Sequence, residues 1–365
     1  MPVPFRVDRS DRWIVLREGT RERWGGDLRR QHIFARLAER TGAEVEDAWG
    51  ISAIRHGVDG GQWRVRRHLP HRGRRPRLVS AEMLTPYHAE VATAIADPVA
   101  VAVYDAALAQ ARALGLSLTP EREAELSGKQ AANVAAFRWQ VAPTASFAAL
   151  AGLDPARLIV GGNGTRVDRV KPGPWPPAPA VGFVSGGAPG RGIETLIAAA
   201  RLVRAEVTGL RLLLWLVGTG EASERYIGEL RSAVAGEPWI EIGAAPYVRL
   251  GAELARASVL CIPHPPSEYM DVALPVKLFD SMAAGRPLVV TPRRETAAIV
   301  ERHGVGLVAA GDRVEDLAEA LERLARDDPL ARELGARARV TAEREYDWRV
   351  VGERIADEVL RREAG

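Results

Sequence analysis

The sequence is poor in several kinds of feature, and each shortage excludes a class of protein. A single cysteine, Cys261, among 365 residues excludes a disulfide framework and any metal cluster built from several cysteines. No stretch of about 18 apolar residues exists that could form a membrane-spanning helix. The first eight residues, MPVPFRVD, lack the apolar core of a signal peptide. We therefore expect a cytoplasmic protein.

Lysine is also scarce, although basic residues are not. The chain has 50 basic and 47 acidic residues, and only Lys129, Lys171 and Lys277 are lysines. Arginines are densest in Arg64–Arg77, RVRRHLPHRGRRPR, which contains no acid. Such a cluster attracts phosphates, but the aromatic residues that stack on nucleic acid are nearly absent from it. We expect a peripheral membrane contact through Arg64–Arg77 and no nucleic-acid partner, with a solvated loop as the alternative.

The apolar residues, 47% of the chain, are arranged as expected for α/β domains. Continuous apolar runs such as 98–104, PVAVAVY, and 211–217, RLLLWLV, lack alternation, and this indicates strands buried on both faces of a parallel sheet. Helix-length segments separate the runs; one carries Ile33, Phe34, Leu37 and Ala38 at helical spacing. Strand and helix alternate through both halves, so we predict two open, doubly wound α/β sheets.

A proline-rich segment divides the two halves. Residues 171–180, KPGPWPPAPA, contain five prolines, which excludes a helix or a central strand. The composition predicts a stiff linker. The domains are therefore expected at 1–170 and 181–346, followed by a final helix over 347–365.

Glycine-rich turns follow several predicted strands, at the sheet edge where α/β proteins bind ligands. A glycine turn that leads into a helix presents bare N–H groups and a positive dipole end to a phosphate. An ordinary tight turn is the alternative for each. None is a GxGxxG fingerprint or a Walker A loop. The turns contain Gly25-Gly26, Gly186-Gly187 with Arg191 close behind, Gly218 with Gly220, and Gly162-Asn163-Gly164.

The segment 263–287 holds the densest set of chemical groups. It includes the acids Glu268 and Asp271, and a helix is predicted to begin near Pro275. Lys277 and Asp280 would share one face of that helix. A lysine at a helix N-terminus opposes the dipole, so Lys277 is predicted to face an anion such as a diphosphate. An ion pair with Asp280 is the alternative.

Three of these motifs together resemble the GT-B glycosyltransferases, most closely glycosyltransferase family 4, the group 1 transferases. They are SGGAPGRG at 185–192, VGTGE at 217–221 and LPVKLFDSMAAGRPLV at 274–289. The resemblance implies two Rossmann-like domains facing a cleft, with the acceptor bound by the first domain, the nucleotide sugar by the second, and the last helix packed back on the first. It also implies a retaining, metal-independent hexosyltransferase without a cofactor. The donor would be a nucleotide-diphosphate sugar; the acceptor, whether glycan, lipid-linked or small molecule, stays open.

The resemblance also assigns roles to individual residues. Arg191 and Lys277 would contact the diphosphate, and Asp280 would accept hydrogen bonds from the ribose hydroxyls. Gly218 and Gly220 would line the nucleoside pocket, and Tyr247 would lie beside the base. The full predicted donor-binding set comprises Gly25, Gly26, Gly186, Gly187, Gly218, Gly220, Tyr247, Glu268, Asp271, Leu278 and Asp280.

The chain departs from the family pattern at three positions. Gly186 replaces an arginine of the phosphate site, and Val272 replaces the first glutamate of the Glu-x7-Glu pattern, which leaves Asp271 or Glu268 for the sugar hydroxyls. Tyr104-Asp105 stands where the family often has His-Asp. Asp105 is the candidate base if the enzyme inverts. Two other functions stay open: a sugar-nucleotide epimerase on this fold, or a nucleotide-sugar binder without catalysis.

Overall fold

The computed structural model describes residues 12–17, 25–47, 75–104, 106–218 and 220–365. These residues form two six-stranded sheets, and all strand pairs in both sheets are parallel, as predicted. Apolar side chains fill both faces of each sheet. This two-sided burial is the reason that the strand sequences lack alternation.

The N-terminal sheet has the strand order β2-β1-β3-β4-β5-β6. Three of its helices begin at a threonine whose hydroxyl accepts a hydrogen bond from a backbone N–H of the first turn: Thr85, Thr119 and Thr144. The strands are β1 (Trp13–Arg17), β2 (Glu44–Asp47), β3 (Arg77–Ser80), β4 (Asp97–Ala102), β5 (Trp139–Ala142) and β6 (Leu158–Val160). The helices are α1 (Gly25–His32), α2 (Ala35–Thr41), α3 (Pro86–Ile95), α4 (Ala107–Ala113), α5 (Pro120–Ala136) and α6 (Ala145–Leu150).

The C-terminal sheet has the order β12-β11-β10-β7-β8-β9. Counted within this domain, that is the 3-2-1-4-5-6 order of doubly wound dinucleotide-binding folds. Its strands are β7 (Ala180–Gly186), β8 (Arg211–Val217), β9 (Ile240–Gly243), β10 (Val259–Ile262), β11 (Leu288–Val290) and β12 (Gly306–Val308). Its helices are α7 (Ile193–Glu206), α8 (Glu221–Ala233), α9 (Leu250–Leu254), α10 (Glu268–Val272), α11 (Val276–Ala283), α12 (Arg294–His303), α13 (Val314–Arg326) and α14 (Asp328–Thr341).

Arginine side chains hold the proline-rich linker against the C-terminal domain. The Trp175 ring contacts two guanidinium groups, with Arg286 at 4.7 Å and Arg332 at 4.6 Å from the ring centroid. Arg286 is buried and donates to the carbonyl oxygens of Gly173 and Pro174. The first half of the linker therefore has fixed contacts with this domain.

Two segments from the C-terminal half of the chain pack into the N-terminal domain. The last helix, α15 (Trp348–Ala364), buries Trp348, Val351 and Ile355 in the same cluster as Trp13 and Val15 of β1. Helix α10 buries its apolar side chains in the cluster that contains Phe147 and Leu153 of the first domain. Apolar contacts thus join the two domains at two places.

Local structure differs from the sequence prediction at one helix. The stretch predicted as one helix around Ile33 and Phe34 is two helices, α1 and α2, with a break at these two residues. Both side chains are fully buried, and the backbone of Phe34 is not helical. Packing of two large apolar residues overrides the helical spacing here. Arg64–Arg74 and Asp105 lie outside the described residues, and within the described part of the chain no helix is long and apolar enough to cross a membrane.

Candidate active site

The order of the C-terminal sheet creates a crevice between β7 and β10. These strands are neighbours, but the next strand after β7 is added on one side of the pair and the next strand after β10 on the other. Ligands of open α/β sheets bind at such a reversal of strand order, outside the carboxyl ends of the strands. The loops after the two strands touch here. Gly192 has φ of +77°, and a Cβ added to it would lie 1.7 Å from the Pro263 carbonyl oxygen. Only glycine fits this position.

The loop after β7 leads to a helix N-terminus without a side-chain cap. Helix α7 is 14 residues long, and its N-cap residue, Gly192, has no side chain that could accept hydrogen bonds from the first turn. The first N–H groups are therefore available to an anion. Gly187 is fixed because its carbonyl accepts from Ser223 Oγ at 2.6 Å, and an added Cβ would lie 2.4 Å from Ile227 Cδ1. At Gly186 an added Cβ meets nothing within 4 Å.

Lys277 reaches this loop from the first turn of α11. Its ammonium donates to Ser185 Oγ at 2.9 Å and lies 4.6 Å from the centroid of the Phe183 ring. Burial, and then the positive charge of Arg191, hold the pKa of Lys277 well below its ordinary value. Among the described residues it makes no ion pair with Asp280, three positions further on, and the predicted alternative is therefore wrong. Lys277 and Arg191 are near enough for their charges to interact.

A buried histidine lies among the same positive charges. His264 lies two residues after the end of β10 and is 1% exposed, and neither ring nitrogen has a hydrogen-bond partner among the described residues. Burial, followed by the charges of Lys277, Arg191 and Arg293, holds its pKa well below the ordinary value, so the imidazole is neutral. The Arg191 Nε is likewise buried, and no residue that the structure describes accepts a hydrogen bond from it. We call Ser185, Arg191, His264 and Lys277 the cationic crevice.

Asp280 lies one turn beyond Lys277 and contacts the domain junction. Its carboxylate accepts a hydrogen bond from Thr165 Oγ1 at 2.6 Å. Burial raises the pKa of Asp280 to about 7, and the Thr165 hydrogen bond opposes that rise. Thr165 itself is bound to the segment before α15, since its N–H donates to the Tyr346 carbonyl at 2.8 Å. The Asp280 carboxylate is therefore held in place by a protein hydroxyl.

Helix α10 carries the position where the family glutamate is absent. Val272 is 5% exposed and packs into the N-terminal domain. Asp271 accepts from Arg293 at 3.0 Å, and Glu268 is exposed to solvent. Arg293 also binds Asp312. Of the two acids predicted to replace the glutamate, Asp271 is therefore in an ion pair and Glu268 is solvated.

The remaining predicted residues are divided between the two domains. Gly218 and Gly220 follow β8, and Gly218 is covered by the Glu224 carboxylate, which an added Cβ would clash with. Tyr247 is buried after β9, and Leu278 is fully buried in the core next to Leu28. Gly25 and Gly26 are the first two residues of α1. The predicted turn at Gly25-Gly26 is therefore wrong: these residues belong to a helix.

Sequence reasoning missed three residues of this region: Ser185, His264 and Arg293. Ser185 precedes a glycine turn, and His264 follows a buried strand at the same sheet edge. That placement was a readable signal for both. Arg293 comes just after β11, and no local pattern distinguishes it from the many other arginines.

The architecture and this crevice define the class of the protein, which has the GT-B fold of two facing Rossmann-like domains. It is similar to sucrose-phosphate synthase (tll1590) from Thermosynechococcus elongatus, with a TM-score of 0.69 at 14% identity over 97% of this chain and 99% of that chain. Anabaena Alr3699/HepE, in complex with UDP and glucose, gives 0.67 at 16% identity over 96% and 100%. WaaG, a glycosyltransferase involved in lipopolysaccharide biosynthesis, gives 0.64 at 16% identity over 95% and 99%.

The C-terminal domain is also similar to a sequence family. Residues 178–327 match the family model described as glycosyl transferases group 1. None of the curated protein sequences is similar enough to this chain to count as a match. The predicted fold is therefore confirmed, and the match over residues 178–327 supports the predicted resemblance to group 1 glycosyltransferases and the assignment as a transferase.

Proposed function

We propose that this protein transfers a hexose-type sugar from a nucleotide-diphosphate sugar to an acceptor, with the diphosphate bound in the cationic crevice. One observation supports this above all others. Arg191 and Lys277 lie close to the open N-terminus of α7, and no acid pairs with either among the described residues. Burial lowers the pKa of both groups, and the charge of Arg191 lowers that of Lys277 further. Holding these charges together is unfavourable until an anion binds.

The proposed chemistry follows from the leaving group. Breaking the anomeric C–O bond puts negative charge on the diphosphate, and groups already arranged around that charge lower the barrier most. Arg191, Lys277 and the first N–H groups of α7 would supply this stabilisation, and we include metal independence in the proposal. Retention needs no strong protein base, because the leaving phosphate can accept the acceptor's proton. An inverting reaction would need Asp105 as base.

Closure of the two domains would protect the donor from water. The contacts that close them are the burial of α10 in the first domain and a hydrogen bond from the Ser146 hydroxyl to the Glu295 carboxylate. The predicted contacts of Gly218, Gly220 and Tyr247 with the nucleoside, and of Asp280 with the ribose, belong to the same proposal. For Asp280, ribose would have to share or displace the Thr165 hydrogen bond.

The first experiment is a thermal-shift panel of UDP-, GDP-, ADP- and TDP-sugars, because a ligand that binds only the folded state raises the unfolding midpoint. The HepE structures contain UDP-glucose or its parts, so UDP-glucose is the first donor to test. We expect one nucleotide class to raise the midpoint, and the matching donor to be transferred or slowly hydrolysed with EDTA present. No shift with any class would contradict the proposal.

Binding without transfer is a second candidate. It is favoured by the buried Val272 where the family has a sugar-binding glutamate, together with the engagement of Asp271 by Arg293. A donor that stabilises the protein but is neither transferred nor hydrolysed over many hours would favour this candidate over the enzyme.

A further inference from the structure

The N-terminal domain contains a cavity of about 620 Å³, the size of cavities that bind small organic ligands. It lies beyond the carboxyl ends of β3 and β4, between α1 and one face of α5. Its walls include Arg29 of α1, Tyr104 just after β4 and Lys129 of α5. This is the same kind of sheet edge as the cationic crevice, in the other domain.

One end of the cavity adjoins the helix that carries Lys277. Leu28, next to Arg29, packs in one cluster with Leu278 of α11. The Tyr104 hydroxyl donates to the Gly162 carbonyl at 2.9 Å, and Asn163 Nδ2, one residue on, donates to the Leu274 carbonyl at 2.7 Å. A molecule in this cavity would therefore lie beside the element that is proposed to hold the donor.

The cavity wall carries more basic than acidic side chains. Among the described lining residues, Arg29, Arg30, Lys129 and Arg157 are basic, and Glu82 is the one acid. Glu82 pairs with Arg30 at 2.6 Å. The Lys129 ammonium forms no ion pair with any residue that the structure describes, and it is one of three lysines in the chain. A positive field confined by apolar walls attracts anions strongly.

Much of the remaining wall is apolar. Alanines and larger side chains, among them Met83, Leu108 and Val134, line the space between the charged groups. A fully solvated ion would leave these surfaces wet, whereas a ligand with an apolar part would cover them. The wall thus fits a molecule that has both an anionic group and an apolar part.

We propose that this cavity binds the acceptor, and that the acceptor carries a carboxylate or phosphate group that pairs with Lys129. The inference rests on the proposed transferase function and narrows its substrate class. The acceptor is held by charge at Lys129 and by apolar contact along α5, with its reacting hydroxyl toward α11. Transfer leaves the anionic group unchanged.

Three matched probes test the inference: 4-nitrophenyl β-D-glucoside, the corresponding β-D-glucuronide, and the glucoside 6-phosphate. They share the aryl group and differ at one substituent of the sugar, which is neutral, a carboxylate or a phosphate. Calorimetry should give at least tenfold tighter binding for one or both anionic probes than for the glucoside, and the stronger of the two identifies the anionic group. Equal binding of all three would overturn the inference.

Variants test whether the preference for the anionic probes depends on Lys129. Lys129→Met should bring the anionic probes to within about twofold of the glucoside, Lys129→Arg should keep the preference, and Lys171→Met, an exposed lysine in the linker, should leave it unchanged. A preference that survives in Lys129→Met would contradict the role of this residue. Binding of the nucleotide class identified in the thermal-shift panel, measured in the same preparations, separates the two proposals. Normal nucleotide binding without anion preference rejects only this inference, whereas a wild type that binds none of the four nucleotide classes rejects the transferase.

Discussion

The Lys277 ammonium donates to the Ser185 hydroxyl at 2.9 Å and thereby joins the start of α11 to the end of β7. The two residues are 92 positions apart in the sequence. The contact holds a positive charge at the mouth of the glycine turn, next to Arg191. Because this partner is a hydroxyl and not a carboxylate, no acid competes with an anionic ligand for Lys277 among the described residues.

Replacing Lys277 should separate donor binding from stability. Lys277→Met removes the proposed diphosphate contact, and we expect turnover of the donor to fall at least tenfold. Because a charge crowded by Arg191 is also removed, the unfolding midpoint of the ligand-free protein should equal or exceed that of the wild type. Kinetics and thermal unfolding measure the two effects. Unchanged kinetics would remove Lys277 from the site; Lys171→Met is the control.

Adding a charge at Gly186 should strengthen donor binding. An added Cβ at this position has no neighbour within 4 Å, so Gly186→Arg should fold and supply a further guanidinium at the crevice. A charge-assisted hydrogen bond contributes about 1.5–3 kcal/mol, so we expect the Kd for the donor nucleotide to fall by at least about tenfold. Gly187→Arg is the contrasting variant, because its side chain would meet Ile227 and destabilise the fold. Equal behaviour of both variants would contradict this picture of the turn.

Asp280 should make stability depend on pH. Burial raises its pKa to about 7, whereas the unfolded chain releases the proton near pH 4. The folded state therefore binds more protons between about pH 4 and 7, and the free energy of unfolding falls as the pH rises through that window. Asp280→Asn removes this pH-dependent contribution to the free energy of unfolding. The variant should be more stable than the wild type at pH 8, by about 1 kcal/mol or more. Urea unfolding at pH 5 and pH 8 would show the change in slope; identical slopes would argue against a raised pKa.

The contact between Gly192 and Pro263 should tolerate no side chain. Gly192→Ala combines a left-handed backbone with a clash against a carbonyl oxygen, and we expect a loss of at least about 3 kcal/mol in the free energy of unfolding. Gly209→Ala has a similar φ, +84°, but open space around the added methyl. It should lose only about 1 kcal/mol. Chemical denaturation of both variants measures the difference.

The parallel sheets could be predicted because two-sided burial leaves a local mark, the unbroken apolar run. The proline-rich segment is equally local. Arg191 could be singled out because it lies in the glycine turn after β7, and Lys277 because it stands in the first turn of a helix. By contrast, the Thr165–Asp280 hydrogen bond spans 115 positions, and the burial of α10 in the other domain depends on how the domains meet. Neither leaves a signal in neighbouring residues. The break between α1 and α2 at Ile33 and Phe34 likewise depends on tertiary packing.

The return of α15 to the first domain makes the family match a poor guide to protein engineering. The match ends at residue 327, but a truncation there or at residue 346 would strip Trp348, Val351 and Ile355 from the wall of the first sheet. The isolated N-terminal half would then expose an apolar surface, and the isolated C-terminal half would expose Tyr269 and Met270 to solvent. Domain swaps with other enzymes of this architecture should therefore exchange the first half and the last helix together.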